Sequence, residues 1–264
     1  MSRIRPITLG LLVLLGGAAG CATAPAHQVL QPPIPCGCAQ AVVFSADGAG
    51  NSAELTEALR QGAAEAGLPL DVEMVDWSYG PGRYLADEMD FGHTRAAGMA
   101  LAARVAAYRQ TCSASRIDLI GHSAGSAVVV HAAELLPPGS IERIILLSPA
   151  LSPTYDLTKA LRATKRQIVA FNSRYDPALH CTSLFGTADR VYCTSAGVKG
   201  FTQPAYLDDA AKHSYERLVQ IPWTFQRLLE LQRPWHNSPT MPLYLGRQVA
   251  PWLKDSPPSE KKPE

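Results

Sequence analysis

Apolar residues along this chain alternate between two rhythms. Short, nearly continuous runs occur at Ala41-Val42-Val43-Phe44, Ile117-Asp118-Leu119-Ile120, Ile144-Ile145-Leu146-Leu147 and Ile168-Val169-Ala170-Phe171. A further run, about Leu70 to Trp77, contains Val72, Met74 and Val75. Such runs predict parallel strands covered on both faces. Between them the spacing becomes helical. Leu55, Leu59, Ala63 and Ala66 form one stripe, with Asn51 and Glu54 spaced as a capping box and Gly67 closing the helix. Leu101, Val105 and Tyr108 mark a helix over about His93–Arg109, and small residues mark another from Ala124 to about Leu136. A short helix is expected near Leu157 to Ala163, and a last one from about His213 through Leu218, restarting after Pro222 with Phe225, Leu228 and Leu229. Ser78 to Gly92 and Asn172 to Phe201 read as loops, the second with one weak strand near Val191. This alternation predicts an α/β domain: a doubly wound, mostly parallel sheet with helices on both faces. Ligands of such sheets lie at the carboxyl ends of the strands.

The two ends of the chain depart from this pattern. Arg3 and Arg5 precede the apolar run Ile7–Leu15 and the small residues Gly16–Gly20, the layout of an export signal. Ala18-Ala19-Gly20-Cys21 resembles a bacterial lipobox, in which the cysteine is lipidated; Ala18 stands where that pattern most often has leucine, so ordinary cleavage is the alternative. The expected organisation is a signal peptide over 1–20, a lipid-anchored tether over 21–38, the folded domain over 39–232 and a proline-rich tail over 233–264. The tail is expected to be mostly disordered, with Leu243 to Trp252 packed on the body.

With 47% hydrophobic residues there is material for one sizeable core, and a net charge of +1 offers no footprint for nucleic acid. The expected partner is a small molecule, with the membrane reached through the N-terminal lipid. Six cysteines in an exported chain point to disulfides. Cys36 and Cys38 lack the spacing of zinc or redox pairs and no second ligand pair lies near, so neither a metal nor a cofactor is expected.

The residues that carry chemistry follow the third strand: Gly121-His122-Ser123-Ala124-Gly125. Strand, G-x-S-x-G, helix is the context of a nucleophile elbow, where a tight turn lifts a serine clear of the backbone. The following helix aims free N–H groups at the place where an oxyanion forms. A serine also needs a base in reach and a group to orient that base. Asp176 lies five residues beyond the strand ending at Phe171, and His213 lies later in the chain.

On these residues the chain, over about Ala41 to Leu229, resembles the α/β-hydrolase family of serine esterases and lipases, which orders its triad nucleophile, acid, histidine. The resemblance implies Ser123 as nucleophile, Asp176 as acid and His213 as base. Asp156 is the rival acid, and His180 and His236 are the rival bases. His122 is read as packed beside the serine, His93 and His131 as helix-face residues, and Asp208 and Asp209 as a solvated pair. The resemblance also implies an oxyanion hole from the Ala124 amide and a second donor in Asp47-Gly48-Ala49-Gly50, with Ala49 and Asp47 as candidates. The family has histidine where this chain has Asp47, so the carboxylate must turn away and hold the loop. Two strands that usually precede the oxyanion-loop strand are missing. That strand neighbours the elbow strand in the family, which makes a disulfide from Cys36 or Cys38 to Cys112 reasonable and leaves Cys181 and Cys193 to staple the loop after Asp176. Ester hydrolysis is the implied activity, with thioester or amide cleavage as extensions. A catalytically silent binding or envelope-interaction lipoprotein is the alternative, resting on the altered oxyanion loop.

Overall fold

The computed structural model describes residues 37–225 and 234–254. The signal sequence, Cys21, Cys36, the helix restart at Leu228 and Leu229, and the last ten residues lie outside the described residues.

Six strands form one sheet: β1 (Ala41–Ala46), β2 (Leu70–Met74), β3 (Arg116–His122), β4 (Arg143–Leu147), β5 (Ile168–Asn172) and β6 (Leu218–Pro222). Their spatial order is β2-β1-β3-β4-β5-β6 and every neighbouring pair is parallel. The helices are α1 (Glu54–Glu65), α2 (Tyr84–Met89), α3 (Phe91–Thr111), α4 (Gly125–Leu135), α5 (Thr158–Ala163), α6 (Pro177–His180), α7 (Thr182–Phe185), α8 (Ala196–Lys199) and α9 (Asp209–Tyr215).

Strand geometry sends successive side chains to opposite faces. Ile117 and Leu119 of β3, Ile144 and Leu146 of β4, and Ile168 and Ala170 of β5 join the core under α3, α4 and α5. Ile120, Ile145, Leu147, Val169 and Phe171 join the other core, with Leu55 and Leu59 of α1. That second face also receives Tyr244, Leu245, Val249, Trp252 and Leu253 from the C-terminal segment. Each fully buried side chain of this size contributes roughly 1.5–3 kcal/mol. The segment therefore is part of the fold. Its end is fixed by charge: Arg116 donates to the Leu253 carbonyl at 2.6 Å and Arg143 to the Lys254 carbonyl at 3.0 Å. Asp118 sits between the two guanidiniums, 3.1 Å from Arg116 and 3.6 Å from Arg143. Burial pushes its carboxyl up to about 6, against the pull of both arginines.

Four expectations from the sequence need correction. Leu218 to Pro222 is the edge strand β6 and not a helix; its side chains are only partly buried, because an edge strand has one partner. Ser78 to Gly92 contains the short helix α2. No strand forms at Val191. Asn51 does not cap α1: it has φ 46° and its amide bonds Asp76. The carboxylate of Asp47 takes over, accepting from the Leu55 and Thr56 amides.

Cys38 and Cys112 form a disulfide with Cα atoms 5.3 Å apart, joining the entries of the neighbouring strands β1 and β3. Closing a loop of 74 residues contributes about 4 kcal/mol in the chain-entropy picture. Cys181 and Cys193 are free thiols, contrary to the staple expected between them. The Cys181 thiol turns back to the Pro177 carbonyl of its own helix. The loop is closed instead by Thr182, whose hydroxyl donates to the Cys193 carbonyl at 2.8 Å and accepts from the Ser195 amide at 3.0 Å.

Candidate active site

The exit of β3 is a strained turn. Ser123 has φ 51°, a left-handed conformation that a residue with a side chain holds only under local strain. The turn is clamped from both sides: the Ser123 amide donates to Leu147 at 3.0 Å, and its carbonyl accepts from Ser126 at 3.1 Å and Ala150 at 3.2 Å. The two motif glycines are required by crowding. A Cβ on Gly121 would meet the backbone of Ser126 at 2.7 Å, and one on Gly125 would lie 2.2 Å from the Asp47 carbonyl. Gly125 thus lets the loop after β1 come down onto the elbow.

That loop, Asp47 to Gly50, forms the opposite wall. Asp47 accepts from Leu55, Thr56 and the Thr56 hydroxyl, the last at 2.7 Å, so its carboxylate faces the start of α1 and not the serine. Burial nevertheless raises its pKa, outweighing those hydrogen bonds. Trp77 fixes the same loop by donating to the Asp47 carbonyl at 2.9 Å. Asp87 of α2 fixes its far end, accepting from the Gly50 amide at 2.7 Å, the Ser78 hydroxyl at 2.6 Å and the Tyr79 amide at 2.8 Å. Gly48 lies against His122 and Ser123. The amides of Ala124, Gly48 and Ala49 donate to no protein acceptor among the described residues.

Asp176, at the carboxyl end of β5, is fully buried and uses its two oxygens differently. One accepts from the Leu179 amide at 3.1 Å and caps α6. The other faces Nδ1 of His236 at 2.8 Å. His236 Nε2 lies 2.9 Å from Ser123 Oγ. The histidine between serine and acid is His236.

His213 does not reach this place, and the topology says why. It sits on α9, which leads into β6, and Leu218 at the start of β6 pairs with Ile168 at the start of β5. It therefore belongs to the amino end of the sheet, a strand length from Asp176. There it is 80% exposed and faces Glu216 at 3.0 Å. His236 comes after β6 and so returns to the carboxyl end. Two side chains hold its backbone: Ser173 donates to the Pro234 carbonyl at 3.1 Å, and His122 Nε2 lies 3.0 Å from the His236 carbonyl. Burial drives the His122 pKa down to about 3. The ring is therefore neutral near pH 7, and because its partner is a carbonyl, Nε2–H is the donor. The ring also packs on His236 with centroids 4.8 Å apart.

The remaining rivals are occupied. Asp156 accepts from the Thr158 amide and from the hydroxyls of Tyr206 and Tyr215; burial is the largest single influence and raises its pKa, but the hydrogen bonds together outweigh it and the net shift is downward. Asp208 caps α9, Asp209 pairs with Lys212, and His180 faces the Arg174 carbonyl. His131 is buried in α4 beside the Tyr155 hydroxyl, and His93 faces the Trp77 carbonyl.

A strained serine elbow at the third position of a β2-β1-β3-β4-β5-β6 parallel sheet decides the architecture. The fold is that of the α/β-hydrolases. No family model matches the sequence, and no curated protein matches it. Solved structures of similar chain path include LpqC, a poly(3-hydroxybutyrate) depolymerase from Bordetella parapertussis, at 16% identity and TM-score 0.48, covering 84% of this chain and 83% of that one. Esterase PE8 matches at 16% identity and TM-score 0.45, covering 74% and 89%. Trichoderma reesei cutinase with a bound phosphonate inhibitor matches at 20% identity and TM-score 0.35, over 46% of this chain; the chain spans 59% of that cutinase.

Ser123 and His236 open into a cleft of about 310 Å³. Its walls are the oxyanion-side loop, Ser52 and Glu54 at the start of α1, Tyr84, Leu85 and Glu88 of α2, and Asn237 and Thr240 after the histidine. Among the described residues no cluster of His, Cys, Asp and Glu is arranged to hold a metal.

The contact from His122 to the His236 backbone makes a testable demand. His122→Phe keeps the bulk and loses the donor, so kcat should fall about 10- to 100-fold with KM little changed, the effect of displacing a reacting group by a fraction of an ångström. His122→Gln keeps an N–H near the Nε2 position and should recover most of the rate. Steady-state kinetics on the two variants checks this.

Proposed function

We propose that this protein is a serine hydrolase of carboxylic esters, with Ser123 as nucleophile, His236 as general base and acid, and Asp176 as the orienting acid. The observation that carries the reading is the continuous chain from Asp176 to His236 to Ser123, at 2.8 and 2.9 Å, on a strained elbow. In that geometry Asp176 holds the Nδ1–H tautomer, which leaves Nε2 to take the proton as Ser123 Oγ attacks the ester carbonyl. The tetrahedral oxyanion is met by the Ala124 amide and by the free amides of the Gly48–Ala49 turn, at the positive end of α4. His236 then hands its proton to the leaving alcohol. Water, deprotonated by His236 in turn, releases the acid from the acyl-enzyme. Thioesters and activated amides fit the same machinery.

The turn of the Asp47 carboxylate toward α1 supports an armed site over a silent one, since no carboxylate repels the developing oxyanion. Export to an oxidising compartment is supported by the Cys38–Cys112 disulfide together with the leader-like start of the sequence. Lipidation at Cys21 remains part of this proposal, and palmitate labelling lost in Cys21→Ala would test it.

The enzymatic reading is tested with p-nitrophenyl acetate. Wild type should turn it over, and Ser123→Ala should lose the activity while keeping its fold by circular dichroism.

A further inference from the structure

One group in the cleft is not used by this mechanism. Glu88 of α2 lines the same cavity as Ser123 and His236, half-buried, and its carboxylate accepts no hydrogen bond and forms no salt bridge among the described residues. Its neighbour Asp87 is saturated by three donors from the loop around it. Asp47 is likewise consumed by α1. Glu88 is thus the carboxylate that this wall leaves over. A carboxylate that no protein group engages keeps its charge available to a ligand entering the cleft, where the surrounding low dielectric strengthens the attraction. Among the described residues no lysine or arginine lines the cleft, and Glu54 adds a second, exposed negative charge at its rim. Tyr84 stands on the same helix one turn before Glu88 and also lines the cavity, giving an aromatic surface beside the charge. A carboxylate next to an aromatic ring is a receptor for a cation, through charge and ring quadrupole together.

We propose that Glu88, with Tyr84, makes this cleft selective for esters that carry a cationic group, such as an ammonium, on the part of the substrate lying along α2. The inference rests on the serine-hydrolase reading and adds the class of substrate. It also implies the order cationic, then neutral, then anionic for esters of one shape. Burial pushes the Glu88 carboxyl up to about 7, with the nearby His236 acting the other way. Charge selectivity should therefore strengthen as pH rises through 7. Among the described residues the titratable groups around Glu88 are His236 from the C-terminal segment and Asp87 from its own helix, with Tyr84 of α2, Glu54 of α1, Asp47 after β1 and His122 of β3 lining the same cavity. Protonation of His236 slows every ester alike and cancels in a ratio of two substrates.

The test compares acetylthiocholine with its uncharged isostere, 3,3-dimethylbutyl thioacetate, on the full-length protein. The expected ratio of kcat/KM at pH 8 is about tenfold in favour of the cation. It should fall toward one in Glu88→Gln and be partly kept in Glu88→Asp. In wild type the ratio should drop as pH falls from 8 to 6, and in Glu88→Gln it should be flat. Equal kcat/KM for the two esters in wild type overturns the proposal, as does a ratio that Glu88→Gln leaves in place. Turnover of p-nitrophenyl acetate with neither thioester accepted also counts against it. Failure to hydrolyse any ester, with no fluorophosphonate labelling of Ser123, removes the hydrolase reading itself and the proposal with it.

Discussion

Replacing His236 with alanine should lower kcat/KM for a simple ester by about 10⁴-fold, and replacing His213 with alanine should change it by less than about twofold. The contrast follows from placement. His236 is the imidazole within hydrogen-bond reach of Ser123, and in the proposed mechanism it is the hydroxyl's base. The residual rate of His236→Ala comes from the oxyanion donors and from substrate binding, which the change leaves in place. His213 is a solvated residue at the other end of the sheet, paired with Glu216 on its own helix. Its loss removes a surface ion pair, worth little for stability and nothing for the chemistry. Side-by-side kinetics of the two purified variants decides between the two histidines.

The second large effect belongs to Asp176, whose two oxygens can be separated by mutation. Asp176→Asn keeps a carbonyl oxygen able to accept from the Leu179 amide, so α6 remains capped and stability should hold within about 1 kcal/mol. The other contact inverts. An amide N–H facing His236 Nδ1 favours the tautomer that carries its proton on Nε2, which cannot accept from Ser123. The rate should fall by about 10⁴-fold. Asp176→Ala should lose both the rate and the cap. Activity assays set beside thermal melts of Asn and Ala variants read the two roles independently; equal activity in Asp176→Asn and wild type would contradict the assignment.

How much of this was legible in the sequence depended on burial. Ile144–Leu147 and Ile168–Phe171 are covered on both faces, and such unbroken apolar runs can be read without a structure. The elbow was readable because strained turns need glycine at fixed positions, and Gly121 and Gly125 stand where backbone leaves no room for a Cβ. Leu218–Pro222 failed for the opposite reason. Edge strand β6 shows one half-buried face, and Leu-Val-Gln-Ile can be fitted to either period. That misreading displaced the histidine, since a last helix read as starting at His213 puts it at a helix entry, whereas it lies in the last turn of α9, which ends at Tyr215. His236 lies in Pro-Trp-His-Asn-Ser-Pro, a composition that reads as tail. Its order comes from partners far away in sequence: Ser173, His122, and the core that receives Tyr244 to Leu253. The one local signal was the cluster of Trp235, Tyr244 and Trp252, more aromatic surface than a free tail keeps exposed. Cys181 and Cys193 show the reverse limit, because nearness in sequence says nothing about where two thiols point.

Activation of Ser123 by His236 is the step on which the proposed chemistry depends. Its most direct test is labelling of the full-length protein with a fluorophosphonate probe, followed by peptide mass mapping. A single adduct on Ser123 in wild type, absent in Ser123→Ala, strongly slowed in His236→Ala and unchanged in His213→Ala, is the predicted result. No adduct on Ser123 in folded wild type, or labelling that persists at full rate in His236→Ala, would contradict it.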